Sequence, residues 1–290
     1  MDLARPAVIP ALLTPFDERG DVDHEALRGH VEWLVEQGVD GLMPCGTTGE
    51  TALLSDAEVA VVVGTTVAAA AGRVPVIAHV GRPGTHPTIE LGRVALDAGA
   101  AAVSAVVPYY HPLTPDQVLG HYRGVMDALG ADRVLAYCIP SHSNNEVTPE
   151  TLATLAAEGL AGFKDSTMSA ERHDEYVAAL AGAGRDDFLL LVGRAALLVR
   201  SLRAGSAGAV LGIANLEPGL CGRLRDAAQG GGEEDVARVQ AQLAEAEAAH
   251  PFPELKRAVA ERLRAEAGIE YGPHMRAPLG AAGSRSAQRA

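Results

Sequence analysis

Short, continuously apolar runs alternate with stretches in which apolar residues return every three to four positions. The runs fall at residues 7–13, 41–45, 74–79, 102–107, 133–138, 160–164, 188–192 and 209–211. Runs of that length bounded by turn residues predict buried strands, and the intervening spacing predicts amphipathic helices. After the first run, Thr14-Pro15 ends the strand and Asp23 caps a helix reaching Gln37, with Leu27, Val31, Leu34 and Val35 on one face and Gly38 beyond it. Ser55-Asp56-Ala57-Glu58 has the form of a capping box opening a helix to Ala71. Further helices are expected at 88–98, 115–129, 149–157, 170–180 and 195–203, and from Glu217-Pro218 onward.

Eight strand–helix units in about 230 residues predict an α/β fold of the (β/α)8 TIM-barrel type rather than a doubly wound sheet. A doubly wound sheet would favour a glycine-rich phosphate loop after the first strand, where Leu13-Thr14-Pro15-Phe16 stands instead. Residues 1–232 are therefore assigned to a catalytic barrel. Residues 233–279 are assigned to C-terminal helices packed on it and interrupted by Pro251 and Pro253, with acidic Glu233-Glu234-Asp235 suited to a helix start. Residues 280–290 are small and polar and are expected to fray.

Composition narrows the partners. Of 290 residues, 48% are apolar and 21% charged, ordinary for a globular chain, and the net charge of −13 argues against a nucleic-acid partner. It leaves room for a small anionic substrate, because a local site can oppose the global sign. Cys45, Cys138 and Cys221 form neither a disulfide framework nor a Cys-x-x-Cys zinc pair. Asp2 and Pro6 interrupt any leader-like pattern, and no apolar stretch approaches the roughly 18–20 residues of a membrane helix. The expectation is a cytoplasmic protein without membrane contact.

In a (β/α)8 barrel, chemistry gathers at the C-terminal ends of the strands. The sixth run ends in Gly162-Phe163-Lys164-Asp165-Ser166. A lysine closing a buried strand is costly unless it is used, or unless it snorkels or pairs with Asp165. Removal from water disfavours an ammonium, and a neutral amine attacks a carbonyl carbon. The second run delivers Gly46-Thr47-Thr48-Gly49-Glu50, whose backbone N–H groups and two hydroxyls suit a small carboxylate. The fifth delivers Tyr137, one strand from Lys164, with a phenol able to move protons through a threonine. A carboxylate cradle, an imine-forming lysine and a tyrosine relay together imply a 2-keto acid, of which pyruvate is the simplest.

These motifs, with Thr51-Ala52-Leu53-Leu54, Pro108-Tyr109-Tyr110, Pro140-Ser141, Gly208-Ala209-Val210, Ala214-Asn215 and Pro251-Phe252-Pro253, occur in one order along nearly the whole chain. In this the chain resembles the dihydrodipicolinate synthase / N-acetylneuraminate lyase family of class I pyruvate-dependent aldolases. The resemblance implies that Lys164 is the Schiff-base lysine and that Tyr137 shuttles protons. It implies that Thr47 links Tyr137 to Tyr110, and that Tyr110 reaches a neighbouring subunit's site. Thr47, Thr48 and Gly46 would hold the keto-acid carboxylate, and Gly193 and Val210 would line that pocket. The resemblance also implies a homotetramer built as a dimer of dimers, with no metal and no organic cofactor.

The departures bear on the second substrate. Synthases of this family carry an arginine two residues beyond the proline that follows the catalytic tyrosine; here the position is His142, which lacks arginine's bidentate, permanently charged fork. Cys138 replaces the usual asparagine. Thr47-Thr48 and Tyr109-Tyr110 lean the other way, toward the synthase branch. The expectation is an enzyme joining pyruvate to an aldehyde, or cleaving a 4-hydroxy-2-keto acid, with His142 on the aldehyde side. The alternatives are 4-hydroxy-tetrahydrodipicolinate synthase proper, a dehydratase using the same imine, and a non-catalytic 2-keto acid binding protein. Gly81-Arg82-Pro83-Gly84 lacks the asparagine of the lysine feedback site, so inhibition by lysine is not expected. His79 reads as a core-edge histidine and His111 as a loop residue; with His142 they match no zinc spacing.

Overall fold

The computed structural model describes Leu3 and residues 6–185 and 187–280. In chain order the elements are β1 (Ala7–Pro10), α1 (His24–Glu36), α2 (Asp56–Ala70), β2 (Ile77–His79), α3 (Thr85–Asp97), β3 (Ala102–Val106), α4 (Pro115–Leu129) and β4 (Val134–Cys138). There follow α5 (Pro140–Ser143), α6 (Pro149–Ala157), β5 (Gly162–Asp165), α7 (Ala170–Ala181), β6 (Leu189–Val192), α8 (Leu198–Arg203), β7 (Gly208–Leu211), α9 (Pro218–Gly230), α10 (Glu233–Ala249) and α11 (Glu254–Ala267). Among the described residues the strands form one parallel seven-stranded sheet in the order β1-β7-β6-β5-β4-β3-β2.

Local chemistry explains the helix starts. Asp23 accepts from the Ala26 N–H, and Ser55 and Glu58 form a reciprocal capping box. Thr114 with Gln117 does the same ahead of Pro115. Alternate residues of the strands sort onto two faces. Ile9, Met43, Ile77, Ala102, Leu135, Leu191 and Val210 cluster on the inner face of the curled sheet. Val8, Ala78, Val103, Ala136, Phe163 and Ala209 pack outward into the larger cluster that the helices cover.

One predicted strand is corrected. Residues 41–45 form no continuous ladder among the described residues, only the single bridges Ala11↔Met43 and Leu42↔Val76. They still bond on both sides. Met43 N–H donates to Pro10 O and Leu12 N–H to Met43 O, while Leu42 N–H donates to Pro75 O and Ile77 N–H to Leu42 O. Two prolines explain the interruption. The next rung on one side needs an N–H at Pro44, the next on the other an N–H at Pro10, and neither residue has one.

Smaller differences have similarly local causes. The helix expected at 88–98 begins at Thr85, where the Thr88 hydroxyl bonds back to Gly84 O at 2.9 Å. The helix expected at 195–203 starts as a 3-10 turn, Ala195–Leu197, before α8. The expectation of a frayed tail falls on residues that, apart from Gly280, lie outside the described ones. Among the described residues no helix is long and apolar enough to cross a membrane.

Candidate active site

Lys164 sits on β5 in direct register with Tyr137 of β4 and Leu191 of β6. Strand alternation sends its side chain inward and sends Phe163 and Asp165 the other way. Asp165 is fully engaged there. Its Oδ2 meets His173 Nδ1 at 2.8 Å, and its Oδ1 accepts from Thr167 N–H at 2.9 Å and Thr167 Oγ1 at 2.7 Å. A Lys164–Asp165 pair is therefore not what the chain forms. Lys164 is only 4% exposed, and its Nζ lies 4.1 Å from the centre of the Tyr137 ring and 3.9 Å from Met43 Sδ.

The Tyr137 hydroxyl lies 3.2 Å from Thr47 Oγ1. The His79 ring stands edge-on to Tyr137, centres 5.7 Å apart at 88°. Thr47 belongs to a tight turn in which Gly49 and Thr51 N–H groups both donate to Gly46 O, and Glu50 N–H donates to Thr47 O. Among the described residues the N–H groups of Thr47 and Thr48 make no backbone bond. The turn is fastened from behind: Thr14 Oγ1 donates to Gly49 O at 2.8 Å. Glu50 is buried with a left-handed backbone (φ 61°), and it accepts from Lys256 Nζ at 2.7 Å and from Arg276 N–H at 2.9 Å.

Gly193 follows β6 and donates its N–H to Asp165 O at 2.6 Å. A Cβ there would stand 1.9 Å from Ser166 Oγ and 3.1 Å from that carbonyl, so a larger residue would have to displace the Ser166 side chain. Val210 pairs with Ile9 and is buried in the inner cluster.

An open cavity of about 880 Å3 lies over these groups. Thr47, Thr48 and His79 form part of its lining, whereas Lys164 and Tyr137 lie behind Thr47 and His79. Its walls are chiefly apolar, with Tyr109, His142, Arg194, Glu247 and His250 as the other polar groups besides Glu50, Thr51 and Ser143. His142 is exposed on α5 and shares a contact of 2.9 Å between its Nδ1 and Ser141 Oγ. Tyr110 is elsewhere. It is 82% exposed, has φ 84°, and its ring stacks edge-on against His111 at 5.0 Å. His79 is fully buried while His111 and His142 are exposed, and among the described residues no three His, Cys, Asp or Glu side chains gather as a metal would require.

Residues 5–289 match the sequence model of the Dihydrodipicolinate synthetase family. The chain belongs to that family. It is 37% identical over 237 residues to a 4-hydroxy-tetrahydrodipicolinate synthase of Brucella suis, covering 81% of this chain and 79% of the relative. A crystal structure of dihydrodipicolinate synthase from Aquifex aeolicus superposes with a TM-score of 0.84 at 30% identity, over 94% of this chain and 92% of that one. A 2-keto 3-deoxygluconate aldolase from Picrophilus torridus superposes at 0.81 and 25% identity, over 94% and 96%. This member of the dihydrodipicolinate synthetase family is thus an enzyme of a lyase and synthase family.

Electrostatics separate reactive from inert groups in this family member. Burial pushes the Cys45 and Cys138 thiols up to about 12, so both stay protonated and unreactive. Cys138 Sγ instead accepts from Val147 N–H at 3.4 Å. Burial first, then the charges of Lys164 and Arg82, hold His79 down at about 3, so it faces the cavity as a neutral imidazole. Burial lowers Lys256 to about 8 against the pull of Glu50. Burial also raises Tyr109 and Glu247, the latter against the opposing charge of Arg194.

Several residues of the site were not foreseen. Asn145 donates to Pro108 O and His111 O and accepts from Leu113 N–H, each at 2.8 Å, tying the loop after β4 to the loop that carries Tyr109 and Tyr110. Nothing in its sequence neighbourhood marks that role. Lys256 could have been found, because Leu255, Val259 and Leu263 give α11 a buried face and Lys256 shares it. A lysine there needs an anion, and Glu50 is the anion that the turn motif places in the interior. Arg194, Glu247 and His250 come from a strand end and from the docked α10, which the chain's local pattern does not connect.

Proposed function

We infer that the chain is a class I lyase that forms an imine between Lys164 and a 2-keto acid, with pyruvate the simplest fit. The observation that carries this is the amine of Lys164: buried, without a carboxylate partner among the described residues, and packed against a tyrosine whose hydroxyl meets Thr47. In the proposed sequence the amine adds to the keto carbon and the carbinolamine loses water. The protonated imine withdraws electrons, so the adjacent methyl group gives up a proton to the Tyr137–Thr47 relay and an enamine remains. The enamine carbon attacks an aldehyde carbon, the aldehyde oxygen takes up a proton, and water releases the product; the reverse sequence cleaves a 4-hydroxy-2-keto acid. Tyr137 moves these protons with Thr47, and the free N–H groups of Thr47 and Thr48 hold the carboxylate. Gly46 shapes that turn, while Gly193 and Val210 border the keto-acid side.

The reading includes a closed eight-staved barrel whose eighth stave is 40–44, supported by its bonds to both edges of the sheet. It includes a homotetramer in which Tyr110 enters a neighbouring site; its exposure and left-handed backbone support that role. Buried free cysteines suit a cytoplasmic setting. The acceptor is proposed to differ from aspartate semialdehyde, because exposed His142 stands where the synthases carry arginine.

Intact mass after incubation with pyruvate and borohydride, with peptide mapping, tests the mechanism. A reduced pyruvyl adduct on Lys164 supports it. Folded protein without an adduct, and without isotope exchange at the pyruvate methyl group, would move the non-catalytic binding reading to the front. Tyr137→Phe is expected to lower turnover by roughly two or more orders of magnitude while the adduct still forms. Near-normal turnover in steady-state assays would remove Tyr137 from the relay.

A further inference from the structure

The cavity contains a cation that no reading of the keto-acid end uses. Arg194 follows Gly193 at the end of β6, with an extended backbone (φ −135°, ψ 124°). Because Gly193 N–H is fixed on Asp165 O, the arginine leaves the sheet at a defined point and lines the cavity half-buried. Among the described residues its guanidinium makes no hydrogen bond or ion pair. The other arginines at the edge of the site differ: Arg82 is tied to Asp56 at 2.8 Å, and Arg276 is tied to Glu58 at 2.6 Å. Glu247 on α10 also lines the cavity and feels the charge of Arg194, yet the two form no ion pair.

A half-buried guanidinium in an apolar-walled cavity gains most from a planar or tetrahedral oxyanion, which satisfies several N–H donors at once. The keto-acid carboxylate is already provided for at Thr47 and Thr48. The cavity, at about 880 Å3, is far roomier than one small keto acid needs. We propose that Arg194 receives an anionic group, carboxylate or phosphate, at the far end of the aldehyde acceptor or of the keto acid that is cleaved. Arg194 is then the specificity-determining residue of the site, and the substrate is charged at both ends. This rests on the imine reading above.

The test measures pyruvate consumption by the full chain with matched aldehydes. Succinic semialdehyde is set against butanal for a carboxylate, and glyceraldehyde 3-phosphate against glyceraldehyde for a phosphate. The wild-type chain is expected to favour at least one anionic member of a pair. Arg194→Gln is expected to cut the anionic-over-neutral ratio of kcat/KM roughly 10- to 100-fold, with Arg194→Lys in between. The pair that responds names the anion. An unchanged ratio in Arg194→Gln, or no preference for either anionic aldehyde while the wild-type chain forms its borohydride-trapped adduct, overturns the assignment of Arg194 alone. Failure of the wild-type adduct overturns the imine reading, and this assignment with it.

Discussion

Lys164→Met is expected to abolish the borohydride-trapped adduct and to lower turnover by about four orders of magnitude or more, while the protein becomes more stable. The two side chains are similar in length and volume, so the inner face of the sheet should refill without a cavity. What disappears is a buried amine with a sulfur at 3.9 Å and an aromatic face at 4.1 Å as its nearest partners, and no carboxylate among the described residues. Replacing such a group by an apolar one removes a desolvation cost. A gain of about 1 kcal/mol would raise the melting temperature by about 1.5–2 °C for a chain of this size. Thermal unfolding alongside mass spectrometry measures both. Loss of stability with an adduct still present would mean that Lys164 is structural and that another amine carries the chemistry.

The second large effect concerns Glu50 and Lys256. Their contact at 2.7 Å is wholly buried and joins the turn carrying Thr47 to α11. Removing one partner strands the other charge in the interior, so Glu50→Gln or Lys256→Met alone should cost about 3–5 kcal/mol. The double substitution should cost much less than the two single costs added together, because no charge remains unpaired. Glutamine can still accept the Arg276 N–H that now reaches Glu50 at 2.9 Å, which keeps the change local. Urea unfolding of the two single variants and the double variant decides the matter. Additive losses would show that the pair is not coupled. In Glu50→Gln, the KM for pyruvate should also rise as the turn loosens.

How far the sequence alone reaches depends on the range of the contacts involved. Alternating runs announced the strands, because burial on both faces makes them apolar throughout, and the caps at Asp23 and Ser55 marked their helices. The adjacency of Tyr137 and Lys164 was legible because sequential parallel strands pair and their register follows. The stave at 41–45 was legible as apolar but not as interrupted; the bonding donors missing at Pro10 and Pro44 had to be weighed against its neighbours on both sides. Lys256 and Arg276 meet Glu50 across more than 200 residues, and Glu247 reaches the cavity only because α10 docks there. Such contacts are set by tertiary packing, on which local periodicity is silent. Tyr110 illustrates the converse: its motif was plain, but a single chain leaves its ring facing outward.

The two prolines also bear on where the molecule breathes. Among the described residues six strand pairs run as continuous ladders, while the stave at 40–44 has one isolated bridge to each neighbour and one further backbone bond beside it. Local opening is favoured where a ladder is interrupted. That stave leads through Cys45, with φ 59°, directly into the turn of Thr47. Hydrogen exchange should therefore be fastest among the staves along this seam. On the proposed mechanism, a shift of the turn that screens Lys164 would admit the keto acid while the strand bearing the lysine stays locked between its neighbours.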